Sequence, residues 1–329
     1  MFDCGEGTQV QLMKSDLKAG KITKIFITHL HGDHLYGLPG LLCTISQSNQ
    51  RSAPVTIYGP LGLAKYLRVS LGLSRSNLQF QYRVVEMVPT SDMYSETDAQ
   101  LCNVDAEDTQ KLHQSEVKGE IIHPIKQSGV HMWPLFYDRK VKVEAGRLDH
   151  TIPSFGFVFT EGDIKGSFDI QKLKSYGLQP GPICGTLQAG EEVTTPNGEM
   201  ITLRDVTKPA VTGRKIVICG DSRDSTRLGP IAQNCDVFIH EATLQNDMVE
   251  TAMERGHSTP DMAAQFALMA NAKLLILTHF SQRYSISSSE EQKHTEVTVA
   301  DLKAEAEAVF KQDVLLAEDF KTFDVKIQK

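Results

Sequence analysis

The stretch KITKIFITHLHGDH, residues 21–34, sets four side chains able to bind metal directly after a short apolar run. Ile22, Ile25, Phe26, Ile27 and Thr28 are β-branched or aromatic, which predicts a buried strand rather than a helix. His29 and His31 follow two residues apart. In an extended chain such residues point the same way, so both imidazoles can reach one ion. Gly32 permits a sharp turn, after which Asp33 and His34 can face a second ion. Three histidines and an aspartate within six residues at a strand end are hard to assign to core packing, because each buried ring needs its own hydrogen-bond partner. Nitrogen and carboxylate ligands without thiolates suit zinc, with manganese and iron as alternatives.

Three further candidates stand in the same context. His150 comes just ahead of the strand-like run Ser154–Phe159, Asp221 ends the run from Arg214 to Gly220, and His279 closes the run from Ala272 to Thr278. With this set the sequence closely resembles the metallo-β-lactamase superfamily and, within it, the short form of the ribonuclease Z (tRNase Z) family. The resemblance is carried by FDCGEGTQ (2–9), THLHGDHLYGLPGLL (28–42), GLQPGPICGTLQAG (177–190), HEAT (240–243), GHSTP (256–260) and LTHFSQRY (277–284), which span nearly the whole chain in family order.

The resemblance implies an α/β fold, the αββα sandwich of two mixed sheets between helix layers, here lacking its first N-terminal strands. Met1 falls where the family has a residue inside the strand that leads into FDCGEGTQ, so an unpaired sheet edge and exposed core are expected. It implies two Zn²⁺ per protomer, one held by His29, His31 and His150, the other by Asp33, His34 and His279, with Asp221 between them. Two such metals clamp a phosphodiester for in-line displacement and activate water at neutral pH. Asp33 then resembles the family's proton acceptor, His257 is the candidate donor to the leaving 3′-oxygen, and Glu241 orients it. For Glu241 and His257 a strand-to-helix salt bridge is the competing reading. Asp3 is expected to hydrogen-bond a metal ligand or its loop, with an ordinary turn aspartate as the alternative. The implied activity is an endoribonuclease that removes the 3′ trailer from precursor tRNA, or trims aberrant tRNA 3′ ends, leaving a 3′-hydroxyl. Two rivals remain at this stage. One is a metal-depleted RNA-binding protein; the other is a thioester hydrolase of the same fold, against which HEAT, GHSTP and the arm described below argue.

Composition limits these readings without choosing among them. The 329 residues suffice for one large α/β domain, residues 1–329. With 34 Lys and Arg against 41 Asp and Glu the net charge is −7 and the pI near 5.9, so any RNA contact must come from local basic patches. No apolar run approaches the roughly 20 residues that span a bilayer, and no secretory signal is visible. The six cysteines are scattered without a CxxC and read as reduced thiols of a cytosolic or nuclear protein.

Along the chain, helices are expected over Leu35–Ser48, Leu61–Leu71, Asn246–Arg255, Ser258–Met269 and Thr298–Phe310, the fourth opened by a Ser258/Asp261 capping box. Strands are expected over Val55–Tyr58, Leu78–Val88, Asp236–His240, Val314–Leu316 and Thr322–Ile327. Residues 89–135 are polar and read as an inserted, loop-rich segment whose His113, His123 and His131 are solvated and whose Trp133 packs, base stacking being the lesser alternative. Residues 161–195 hold GLQPGPICGTLQAG, too rich in Gly and Pro for a regular helix or strand. By resemblance this segment is a tRNA-clamping arm in which Lys165, Lys172 and Lys174 touch phosphates and Gly181 and Pro182 shape the loop; a solvated helix face is the competing reading for the lysines. Homodimerisation, one protomer's arm serving the other's site, is likewise implied by resemblance alone.

Overall fold

The run that opens the ligand stretch is a strand of three residues, Lys24–Phe26 (β1), and Ile27 N–H still donates to the Tyr58 carbonyl at 2.8 Å beyond its end. The computed structural model describes residues 1–48, 51–94, 111–138, 140–285 and 297–327. Ahead of β1 lies helix Thr8–Lys14 (α1); after it come Gly32–Leu35 (α2), Leu38–Ser48 (α3), Val55–Pro60 (β2), Leu63–Leu73 (α4), Tyr82–Met87 (β3) and Glu116–Ile122 (β4). The four strands pair in the order β1-β2-β3-β4, every pair parallel, and Met1–Asp3 adds a parallel bridge through Phe2 and Phe26. Both faces of β2 and β3 are buried, as parallel strands with covered faces require.

The second sheet is built from Ile125–Gln127 (β5), Val130–Tyr137 (β6), Val141–Leu148 (β7) and Ser154–Glu161 (β8), then Lys215–Ile218 (β11), Val237–Glu241 (β12), Leu274–Thr278 (β13) and Asp313–Leu316 (β14). Its order is β14-β13-β12-β11-β8-β7-β6-β5, with the β11–β14 half parallel and the rest antiparallel. Only this sheet is mixed; the first is parallel throughout its described strands.

The sheets face one another across an aromatic layer. Phe26 stacks on Tyr58 at 5.0 Å and meets Phe157 edge-on at 5.3 Å, while Trp133 meets Phe155 edge-on at 4.9 Å. Trp133 is fully buried and its indole N–H donates to the Val88 carbonyl at 2.9 Å, so it is a packing residue. On the outer face of the first sheet α3 and α4 bury Leu38, Leu41, Leu42, Ile45, Leu63, Leu67 and Leu71. On the outer face of the second, Ala263, Ala264 and Ala267 of helix Pro260–Met269 and Ala306 of helix Val299–Val309 lie against Val217, Phe238 and Leu275. Helix, sheet, sheet, helix is the layering expected.

Several local expectations are corrected. Among its described residues the segment 89–135 is not mainly loop: β4 completes the first sheet and β5 and β6 extend the second, because their exposed polar faces mask a strand alternation. Residues 95–110 of that segment lie outside the described residues. The Gly/Pro-rich stretch holds a regular helix, Pro182–Gln188, preceded by helix Ile170–Ser175. Pro182 occupies the first helical turn, where its missing N–H costs nothing and its fixed φ favours the helix. The excursion also runs past residue 195, through the pair Val193–Thr194 and Met200–Ile201 (β9, β10), and returns beside its own start by the Phe168–Thr207 and Ile164–Val211 bridges. It owns a core of Leu173, Leu178, Leu187, Ile201 and Val206. Helix Pro260–Met269 is capped by Thr259 rather than Ser258, since Pro260 fixes the first turn one residue later; Ser258 Oγ donates to the Ser222 carbonyl instead. The strand expected from Leu78 starts only at Tyr82, and residues 322–327 form no strand, although the Val325 carbonyl accepts from Arg214 Nη1 at 2.7 Å.

Candidate metal centre

All seven expected ligands converge at one edge of the sandwich. β1 delivers fully buried His29; His31 stands at the N-cap of α2, which carries Asp33 and His34; His150 precedes β8; Asp221 follows β11; His279 follows β13. Most of these positions are at the C-terminal ends of strands, where α/β sheets present their sites. His279 and Asp3 both hold left-handed backbone, φ 56° and 47°, a conformation that non-glycine residues keep only where surrounding contacts hold it. Ligand atoms gather within 4.8 Å of one another in the groups His29/His31/His150, Asp33/His34/His279, His29/His34/Asp221 and Asp221/His257/His279. Asp221 thus stands between the first two groups, 3.9 Å from His29 Nε2, 3.4 Å from His34 Nε2 and 3.5 Å from His279 Nε2.

The outer ring nitrogens are tied down. His150 Nδ1 donates to the Gly256 carbonyl at 2.7 Å and His34 Nδ1 to Asp3 Oδ2 at 2.8 Å, while His29 Nδ1 and His279 Nδ1 each lie 3.0 Å from a threonine hydroxyl, of Thr28 and Thr243. Gly256 is itself left-handed at φ 79°, and a Cβ there would come within 2.7 Å of His150 Nδ1. With these nitrogens protonated, Nε2 lone pairs point inward. His34 Nε2 faces His279 Nε2 at 3.3 Å, His150 Nε2 faces His31 Nδ1 at 3.1 Å, and His29 Nε2 is buried with no hydrogen-bond partner. Ring nitrogens set against one another and an orphaned buried nitrogen are relieved by a cation between them, so this donor set fits metal ions; nitrogen and carboxylate donors suit zinc.

Electrostatics divides the cluster. Burial pushes the pKa of His29 down to about 2 and lowers those of His31 and His150, so the first group is neutral and ready to ligate. Burial also opposes charge on His34 and His279, but carboxylates outweigh it: Asp221 and Asp3 raise His34 to about 10, and Asp33 and Asp221 raise His279. Asp33, hydrogen-bonded by His279, is held well below the usual carboxylate range, as is Asp221, whose burial is outweighed by His34, His279 and His29. His34 and His279 are thus biased toward the protonated form.

Behind the ligands, Glu241 is almost fully buried and acts as a hub. Its Oε1 accepts from Ser222 N–H at 2.7 Å and His257 Nδ1 at 3.0 Å; its Oε2 accepts from Ser258 N–H at 3.1 Å and Thr243 Oγ1 at 2.5 Å. The strand-to-helix salt bridge weighed for Glu241 and His257 is therefore present, and it is one spoke of a larger arrangement. Asp3 makes the expected hydrogen bonds to the candidate ligand stretch: it accepts from Thr28 N–H at 2.7 Å and from Thr28 Oγ1 and His34. Thr28 and Thr243 were not singled out by sequence; the available signal was a hydroxyl residue directly before His29 and at the end of HEAT. His113, His123 and His131 join no ligand group among the described residues, His123 and His131 being exposed and His113 placed 3.1 Å from the Ser76 carbonyl. Asp33, His34, Asp221 and His279 line a cavity of about 990 Å³ together with Phe2, Glu6, Leu17 and Phe320. Lys165, Lys172, Lys174, Gly181 and Pro182 are all exposed on the 161–214 excursion, away from the ligands.

Comparison with known proteins shows the family. A family model described as Anti-Pycsar protein Apyc1 matches residues 1–118, the part that carries the first four ligands. Human zinc phosphodiesterase ELAC protein 1 is 46% identical over 100% of this chain and 91% of its own length. Ribonuclease Z of Rippkaea orientalis is 38% identical over 99% of this chain and 87% of its own. The crystal structure of human tRNase Z, short form, superimposes with a TM-score of 0.65 at 38% identity, covering 99% of this chain and 88% of that one. A long-form RNase Z from yeast, 18% identical over 97% of this chain and 36% of that one, shares the fold at a TM-score of 0.52. With identity of this level along its whole length, the chain belongs to the ribonuclease Z family of the metallo-β-lactamase fold.

Proposed function

We propose that the protein is a zinc-dependent endoribonuclease that removes the 3′ trailer from precursor tRNA, or trims aberrant tRNA 3′ ends, leaving a 3′-hydroxyl. The observation that carries this reading is the gathering of His29, His31 and His150 in one group and of Asp33, His34 and His279 in another, with Asp221 beside His29, His34 and His279, in a chain 46% identical to a zinc phosphodiesterase. His29, His31 and His150 would hold one zinc, Asp33, His34 and His279 the other, with Asp221 shared. Bound there, the ions supply Lewis acidity toward a phosphodiester and an acidified water at neutral pH.

The chain's own residues do the rest. Asp33, with a side chain 60% exposed at the rim, can take the proton of the attacking water. His257 donates to the leaving 3′-oxygen through Nε2, because its Nδ1 is committed to Glu241. Burial draws the pKa of His257 down, yet the Glu241 hydrogen bond and the nearby carboxylates outweigh it and the net shift is upward, toward the donor form. Glu241 keeps that ring oriented.

The exposed lysines Lys165, Lys172 and Lys174 would engage tRNA phosphates on an arm that includes Gly181 and Pro182. β8 starts beside Asp221, where Ser154 Oγ donates to its carbonyl at 2.9 Å, and ends at Glu161, where the arm begins. Eight strand residues at ~3.3 Å each place the arm's root about 25 Å from the metal centre. That placement supports a homodimer in which each arm serves the partner's site, within a single domain over residues 1–329. No helix among the described residues is long and apolar enough to cross a membrane. Family membership and unpaired Cys4, Cys43, Cys184, Cys219 and Cys235 favour the cytosol or nucleus. The decisive experiment incubates zinc-assayed protein with a precursor tRNA and with bis-nitrophenyl phosphate: trailer release with a 3′-hydroxyl on the tRNA is expected, and hydrolysis of the small ester alone would defeat the tRNA assignment. Sedimentation at micromolar concentration tests the dimer, which a monomer would contradict.

A further inference from the structure

We propose that Thr28 and Thr243 are positioning residues, one for each half of the metal centre: each hydroxyl links a carboxylate to one ligand imidazole and holds that ring with Nε2 as its free lone pair. The proposal rests on the reading of His29 and His279 as ligands.

Hydrogen-bond arithmetic fixes the direction of each link. A threonine hydroxyl has one proton to give and two lone pairs. Thr28 Oγ1 lies 2.8 Å from Asp3 Oδ2 and 3.0 Å from His29 Nδ1. The Asp3 carboxylate already accepts from Thr28 N–H and from His34 Nδ1, so it is the acceptor here as well. Thr28 therefore spends its proton on Asp3 and can only accept from His29, whose Nδ1 must be protonated. The buried His29 Nε2 without a partner is the matching lone pair.

The same construction recurs on the other side. Thr243 Oγ1 is 2.5 Å from Glu241 Oε2 and 3.0 Å from His279 Nδ1. The His279 carbonyl also lies 2.9 Å from Thr243 Oγ1, but the single proton goes to the charged and closer acceptor. His279 Nδ1–H then donates to Thr243, and His279 Nε2 is left facing Asp33 and Asp221 at 3.5 Å each. Thr243 so restrains a residue in left-handed backbone, φ 56°, that has no glycine freedom to return to if the contact is lost.

The surroundings make room for the hydroxyls. A Cβ on Gly220 would sit 2.5 Å from Thr28 Cβ and 2.7 Å from its Oγ1, so the residue ahead of Asp221 has to be glycine for Thr28 to reach both partners. Asp3 consequently reaches a ligand in each half, His29 through Thr28 and His34 directly. Glu241 reaches His279 through Thr243 and His257 directly. Each carboxylate orients two rings, and in each case one of the two links is a hydroxyl.

The test compares Thr28→Val and Thr243→Val, which keep shape and remove the hydroxyl, with Thr28→Ser and Thr243→Ser, which restore it. Zinc affinities are read by competition with a chromophoric chelator, beside the unaltered protein and with melting curves as controls. Each valine variant should weaken one zinc about 10- to 100-fold and spare the other, with serine near the unaltered value. Unchanged affinity in both valine variants, equal weakening of both ions in each, or a loss that serine leaves in place overturns the proposal. If the unaltered protein binds no zinc, the ligand reading fails and this inference with it; if it binds two and valine changes nothing, this inference alone fails. Should a valine variant not fold, nitrogen-15 imidazole spectra of the unaltered zinc-loaded protein decide: slowly exchanging Nδ1–H signals for His29 and His279 are expected, and an unprotonated Nδ1 on either ring overturns the assignment.

Discussion

His257 Nδ1 lies 3.0 Å from Glu241 Oε1, and the same carboxylate accepts from the backbone N–H groups of Ser222 and Ser258, so the proton-donor candidate is braced to the loop that follows Asp221 and to its own. A ring held this way can turn neither toward Asp221, 3.7 Å away, nor into solvent without breaking a buried bond.

His257→Ala should therefore keep both zincs and its affinity for tRNA while lowering kcat about 10²- to 10⁴-fold, the usual worth of a positioned proton donor. The loss should shrink on a nitrophenyl phosphodiester, whose leaving oxygen needs no proton. Because Glu241 shifts the His257 pKa upward, the donor form persists to higher pH, and the alkaline decline of kcat on precursor tRNA should vanish in the variant. Elemental analysis and pH–rate profiles check this; a variant that loses zinc, or loses equal activity on both substrates, assigns His257 to ligation or structure instead.

His29→Ala should behave differently. The removed ring is fully buried and its Nε2 has no partner but the proposed ion, so metal content and activity should fall together. The unaltered protein, purified without chelator, should contain two zincs per chain, and a stoichiometry below one sinks the two-metal reading.

The arm can be tested without dismantling it. Deleting residues 178–188 would remove Leu178 and Leu187 from the arm's own core and unfold it, whereas Lys172 and Lys174 flank buried Leu173 and face outward. Lys172→Glu with Lys174→Glu should raise the KM for precursor tRNA and flatten its salt dependence by about one unit of slope per lost phosphate contact. Hydrolysis of the small diester should not change. Equal effects on both substrates would make these lysines a solvated helix face.

The convergence of the candidate ligands was legible where a candidate follows a contiguous apolar run, because a strand that ends at a residue able to bind an ion leaves both signals side by side in sequence: Ile25 to His29, Ile216 to Asp221, Leu274 to His279. The arm's helix Pro182–Gln188 was not legible, since Pro and Gly lower helix propensity on average while Pro182 at the first turn does the opposite. β4 to β6 were hidden by polar residues on exposed faces, such as the alternation in Glu116–Ile122. The local signal for the threonines, a hydroxyl residue directly before His29 and at the end of HEAT, does not show which carboxylate each one links. Thr28 and Asp3 stand 25 residues apart, and pairing between Met1–Asp3 and the end of β1, as in the bridge between Phe2 and Phe26, brings them together.

The two halves of the centre should answer pH differently. Metal-free His29, His31 and His150 have lowered pKa values and are neutral rings at neutral pH, so binding at their free lone pairs releases no proton. His34, raised to about 10, and His279, also raised, must give up protons before their Nε2 atoms can ligate. Affinity for the second zinc should therefore climb about tenfold per pH unit for each proton released, from pH 6 to 8, while the first stays nearly flat above the ordinary histidine pKa of about 6.5. Acidification should then strip the Asp33/His34/His279 zinc first. Chelator competition at several pH values measures the two slopes, and calorimetry in buffers of different ionisation enthalpy counts the protons. Asp3→Asn removes one of the carboxylates that raise His34, lowers its pKa, and should flatten the second slope without steepening the first. Equal slopes for the two ions, or a steeper first, would show that the charge division seen in the metal-free cluster does not govern its filling.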